Sequence, residues 1–267
     1  MRLFSKNVTM KNFYFNFAIL IPATARDSNY YNFKDSDLYQ TMKSFYETCD
    51  EQHLYTFFIG IDKNDWFYQD SKIKDQMFDF ISDKPKSSIQ FVEFDKSYKN
   101  DIAGMWTKLY KEAYNNYDYF VQVGSDIKFL DKGWVDDTIT IFQQNNNLGV
   151  VGFKDYGRQQ INPNDKLFTQ TIVTKQHLDI FGFYYPPEIK NWGCDDWIGD
   201  IYEVHNLKHY IPQRIINCGG KPRYNVDREY KTHIANCMIK YLNNIQTYLS
   251  KKQFETDDPW IQNKNLS

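Results

Sequence analysis

Apolar and polar positions along the chain alternate between two rhythms. Short apolar runs stand at Phe17–Ile21, at residues 54–62 (LYTFFIGID), 88–94 (SIQFVEF), 117–126 (YDYFVQVGSD), 148–153 (LGVVGF) and 167–174 (LFTQTIVT). Their length and their β-branched and aromatic content predict buried strands. Between them the spacing turns helical. Leu38, Met42, Phe45 and Tyr46 form one stripe in a helix near 35–49. Further helices are expected over 72–81, 101–114, 133–144 and 175–182, with a closing helix over 234–249 and a loosely held polar tail over 251–267.

Strands alternating with helices of this length imply βαβ units: an α/β, Rossmann-like fold with a mixed, mostly parallel central sheet flanked by helices. Such sheets bind ligands at the carboxyl ends of their strands. Three predicted strands end in residues suited to that: Pro22–Asp27, Asp62 and Asp126. No GxGxxG follows the first strand and no GxxxxGK[ST] occurs, which disfavours a dinucleotide dehydrogenase or a P-loop enzyme.

With 267 residues, 42% of them hydrophobic, the chain can bury one sizeable core. The 32 basic and 34 acidic residues leave a formal charge of −2, which gives no sign of the clustered basic surface of a nucleic-acid binder, and no nucleic acid is expected as a partner. Cys49, Cys194, Cys218 and Cys237 have no CxxC spacing and read as free thiols of a reducing compartment, which points to a soluble, cytoplasmic protein. The basic and apolar start, ending in Ala23-Thr24-Ala25, also mimics a secretory signal. Asn16 and Pro22 interrupt it, and FAILIPAT reads as a strand entering a loop. No run approaches the roughly 20 apolar residues of a membrane span.

Asp126 follows Gly124 and Ser125 at a strand end, where a carboxylate can hold a hard divalent cation that bridges two phosphates. Gly-Ser-Asp is also ordinary turn chemistry. Asp62 can accept from a ribose or base, or serve a turn. The pair Asp195 and Asp196 lies between Trp192 and Trp197, after Gly193 and Cys194. It reads as a helix N-cap, or as an acid site in which one carboxylate takes a proton from a sugar hydroxyl and the other positions that substrate. His205 and His209 have ligand spacing but lack the acid of an HExxH, and read as surface or helix-end residues. His233 matters to a site only if the fold brings it to Asp126.

Taken in order, IPATARD, GID, GSD and the acidic pair resemble a GT-A glycosyltransferase of the nucleotide-diphospho-sugar transferase superfamily. The likeness covers residues 17–235 in order of elements and is residue-specific around 117–130 and 168–198. The closest local similarity is to the β-galactosyltransferase group, whose strand and short helix lead into WGxxGEDD. Here Gly182-Phe183 is followed by Trp192-Gly193-Cys194-Asp195-Asp196.

The resemblance implies a single domain: a nucleotide-sugar half over about 11–182, an acceptor half over about 183–250, and a tail. It implies Mn²⁺ or Mg²⁺ on Asp126 with His233 as a late ligand, and Asp196 as the catalytic base beside Asp195. It places a UDP-sugar against Pro22, Thr24, Arg26, Asp62, Lys108, Gly124 and Ser125. Gly124 replaces the family's first DXD acid. Trp192, Gly193 and Trp197, with Tyr184 or Tyr185, become a sugar-binding wall or remain core. The implied reaction is inverting transfer to a glycan, protein or small-molecule acceptor. The rivals are a nucleotidylyltransferase, although IPATARD lacks the glycine-rich loop usual there, and a catalytically inactive carbohydrate-binding protein.

Overall fold

A computed structural model of the chain describes residues 14–219 and 225–257. The chain start to residue 13, Pro222 and the last ten residues of the tail lie outside them.

Eight strands form one sheet: β1 (Asn16–Ala23), β2 (Leu54–Asp62), β3 (Ser87–Phe94), β4 (Tyr119–Gln122), β5 (Ile127–Phe129), β6 (Val150–Asp155), β7 (Thr171–Thr174) and β8 (Lys208–Asn217). Their order is β3-β2-β1-β4-β7-β6-β8-β5. The first four neighbours are parallel, as is β6 with β8. Strand β7 runs antiparallel to both β4 and β6, and β5 runs antiparallel to β8. FAILIPA is therefore a central strand, buried from Phe17 onward between two parallel partners.

Alternate residues of β1 enter opposite layers, as the period of two requires. Phe17, Ile19 and Ile21 pack in the layer of α1 (Asp37–Thr48), α2 (Ser71–Ser82) and α4 (Trp134–Gln144). Ala18 and Leu20 pack in the layer of α3 (Ile102–Ala113), α6 (Lys175–Phe181) and α7 (Cys194–Glu203). Side chains also couple β5 to α1: Thr41 and Ser44 hydroxyls accept the N–H groups of Ile127 and Phe129 at 3.0 and 3.1 Å.

Four features differ from the expectation. The run 117–126 ends at Gln122, and β5 starts separately after Asp126. A short helix α5 (Tyr156–Ile161) follows β6. Strand β8 passes through Pro212 because the ladder with β6 is irregular there: Gly152 pairs with Tyr210, but Lys154 pairs with Arg214. A proline, with no N–H to donate, fits such a bulge. His209 therefore lies in a strand, while the His205 ring approaches the Leu242 carbonyl at 3.1 Å. The closing helix is two, α8 (Tyr230–Tyr241) and α9 (Asn244–Asp257), so the tail is helical at its start. Among the described residues no helix is long and apolar enough to cross a membrane, and all four cysteines are free.

Candidate functional site

The strand ends β1, β2 and β4 open into a cleft of about 790 Å³. A cavity of about 270 Å³ adjoins it, sharing Thr24, Arg26, Asp62 and Lys99. Pro22, Gly124, Ser125, Asp126, Trp192, Gly193, Asp195 and Asp196 all line the cleft. Residues far apart in sequence, expected to act together, thus meet in one space.

The loop after β1 is held by a residue the sequence reading missed. Buried Asp65 accepts from Thr24 Oγ1 at 3.2 Å and from the Ala25 N–H at 2.8 Å through Oδ2. Its Oδ1 accepts the N–H groups of Phe67 and Tyr68. This fixes Thr24, and with it Arg26, whose guanidinium lies 3.7 Å from Asp62. Partial burial raises the Asp62 carboxyl pKa, and Arg26 opposes the rise.

Asp126 sits between β4 and β5, its carbonyl accepting the Cys218 N–H at 2.8 Å. A Cβ at Gly124 would stand 2.8 Å from its Oδ1, and one at Gly219 would collide with its carboxylate. Gly124 therefore makes room for the Asp126 side chain itself, a reason for a glycine where the resemblance has an acid. Among the described residues no three His, Cys, Asp or Glu side chains gather to hold a metal ion. His233, on α8, lies 3.2 Å from Asp227 and is absent from the cleft wall. One carboxylate can hold a cation that takes its other ligands from a diphosphate and water.

The acidic pair occupies the first turn of α7. Gly193 caps this helix with φ +88°, and a Cβ there would meet Ile234 Cδ1 at 2.6 Å. Glycine is required both for the backbone and for the packing of α8. Burial is the largest influence on Asp195, and the Asp196 charge adds to it. Backbone N–H groups and Arg158 oppose both, and the carboxyl is pushed up to about 6. Desolvation outweighs the helix N-terminus here. Arg158, on α5, lines the same cleft and is held by Asp165 at 2.9 Å. Asn191 carries the loop before α7: its Nδ2 donates to the Asn100 and Asn225 carbonyls, and its Oδ1 accepts from Trp192 and Asp227 N–H groups.

The two tryptophans part company. Trp192 is 43% exposed on the cleft, edge-on to Tyr230. Trp197 is fully buried against Phe181, Phe183 and Tyr241, so it is core and not wall. Tyr184 is likewise core, whereas Tyr185 reaches the cleft. Lys108 donates to the Glu93 carbonyl at 2.8 Å beside Phe94 and Tyr98, and is absent from the cleft wall.

No protein-family model matches the chain, and no curated protein matches it by sequence. Solved structures do match in fold. A crystal structure of S. aureus TarS aligns with TM-score 0.55 at 13% identity, over 84% of this chain and 39% of that one. A structure of TarS 1–349 aligns with TM-score 0.53 at 13% identity, over 86% and 66%. This chain thus spans well under half of the first TarS chain. The mixed, curled, eight-stranded sheet with helices on both faces is an α/β, Rossmann-like fold of the GT-A type.

Proposed function

We propose that this chain is a glycosyltransferase that moves a sugar from a nucleotide-diphosphate donor to an acceptor hydroxyl. One observation carries the reading: Asp126 and the Asp195–Asp196 pair face a single cleft at the carboxyl ends of the strands.

The nucleotide end of the cleft is assigned to Pro22, Thr24, Arg26 and Asp62, which the Asp65 clamp keeps in register. Ser125 and Asp126 face the diphosphate. A divalent cation, Mn²⁺ or Mg²⁺, held by Asp126 would neutralise the leaving diphosphate. Opposite, Asp196 takes the proton from the acceptor hydroxyl, and its oxygen attacks the anomeric carbon from the face away from the leaving group. That is single displacement with inversion. Asp195, drawn toward neutrality by burial, accepts or shares the acceptor's hydrogen bond. Trp192 offers the acceptor an exposed aromatic face. The acceptor hydroxyl belongs to a glycan, a protein or a small molecule.

Calorimetric titration with UDP and a panel of UDP-sugars tests the donor assignment. Saturable binding of one UDP-sugar supports it. Release of pyrophosphate from UTP and a sugar phosphate would instead make the protein a nucleotidylyltransferase. Glycan binding without any nucleotide binding would make it a carbohydrate-binding protein.

A further inference from the structure

Two buried carboxamides lie at the floor of the cleft with their orientations fixed. Gln122 ends β4 and is 1% exposed, and Gln170 precedes β7 and is 5% exposed. Both line the cleft. They cross-link the end of the antiparallel pair where Gln122 faces Thr171. The Thr171 N–H donates to Gln122 Oε1 at 3.1 Å, and the Gly124 N–H donates to Gln170 Oε1 at 2.8 Å. The hydroxyls of Thr171 and Tyr185 also donate to Gln122 Oε1, each at 3.1 Å.

A backbone N–H can only donate, so the atom facing it must be oxygen in both amides, and neither can flip. Each Nε2 is thereby left on the other branch of its amide. Among the described residues neither Nε2 has a hydrogen-bond partner. Neither Nε2 is among the buried polar atoms left without a partner, so both open onto the cleft, and whatever fills it can accept from them.

We propose that Gln122 and Gln170 form the subsite that reads the transferred sugar, their Nε2 groups donating to its hydroxyl oxygens; this rests on the sugar-transfer reading above. Position and charge both favour the sugar over the diphosphate. Gln122 lies four residues before Asp126, while Tyr185, which bonds it, feels the charge of Asp195. The pair shares one cleft wall with the Asp126 turn and the acidic helix start, the two groups between which the transferred sugar would pass. Neutral N–H donors suit neutral hydroxyls and fix their orientation. The cationic Arg26 and Lys99 stand where the cleft meets the smaller cavity.

The test is calorimetry on the full chain with UDP, UDP-glucose, UDP-galactose and UDP-N-acetylglucosamine. Gln122→Glu and Gln170→Glu keep an oxygen for the backbone N–H and remove the donor. Gln170→Met removes the donor without adding charge, and thermal melting checks its fold. The expected result is a roughly tenfold loss of affinity for the preferred UDP-sugar, with UDP affinity within about threefold of wild type, in the Glu and Met variants alike. Equal losses for UDP and UDP-sugar in Gln170→Met would place the pair on the diphosphate and overturn the inference. Unchanged affinity for every sugar would also overturn it. If the wild-type chain binds none of the four, the sugar-transfer reading itself fails.

Discussion

Asp65 Oδ2 accepts the Ala25 N–H at 2.8 Å, joining two strand-end loops whose residues stand 40 positions apart in the chain. Three backbone N–H groups, of Ala25, Phe67 and Tyr68, depend on this one buried carboxylate. Asp65→Ala leaves them without it and is expected to cost about 2–4 kcal/mol. Urea unfolding reads this as a lower midpoint at unchanged slope. A change below about 0.5 kcal/mol would mean that water replaces the carboxylate without loss.

Gly193 is a second such position. Its left-handed backbone and its contact with Ile234 leave no space for a methyl group. Gly193→Ala is expected to destabilise the fold by about 1–3 kcal/mol and to displace the first turn of α7. Thermal melting checks the first effect, and the pH profile of activity checks the second. An unchanged melting temperature would show that α8 gives way freely.

The sign of the pH effect at Asp195 follows from burial. Burial pushes its folded carboxyl up to about 6, against about 3.9 for an unfolded aspartate. Between these values the folded chain binds more proton than the unfolded chain, so stability falls as pH rises through the window and levels off above it. Asp195→Asn removes this term. Its stability relative to wild type is expected to be higher at pH 8 than at pH 4, by on the order of 1–3 kcal/mol. Denaturant unfolding at both values measures it, and a pH-independent difference would contradict the burial argument.

The tryptophans flanking the acidic pair are expected to separate stability from activity. Trp197→Ala empties a fully buried site and should cost about 3–5 kcal/mol. Trp192→Ala, at an exposed position, should leave the melting temperature nearly unchanged and raise KM for the acceptor. Equal stability losses in both variants would deny Trp192 its place on the wall.

Much of the layout was legible because it is written locally. Apolar runs bounded by turn residues located β2 and β3 to within a residue, and helical stripes located α1, α2 and α4. Strand β8 was hidden because Pro212 reads as a terminator, and only its pairing with β6 explains how a strand accommodates it. Of the two readings open to Trp197 the structure takes the core, and Cys194, Trp197, Ile198 and Ile201 mark the buried stripe of α7. Asp65, Gln122, Gln170 and Arg158 left no local signal. Their roles depend on strand ends and a short helix brought together by the sheet, and no spacing within one segment encodes that.

Metal-assisted sugar transfer with Asp126 facing the diphosphate makes turnover depend on both the cation and this carboxylate. Its most direct test measures UDP release from a panel of UDP-sugars, with and without Mn²⁺, by the wild-type chain and Asp126→Ala. One donor is expected to be turned over only with metal, and the variant to lose roughly 100-fold or more while keeping its melting temperature. Turnover equal in the two proteins, or no turnover and no binding of any donor, would contradict it.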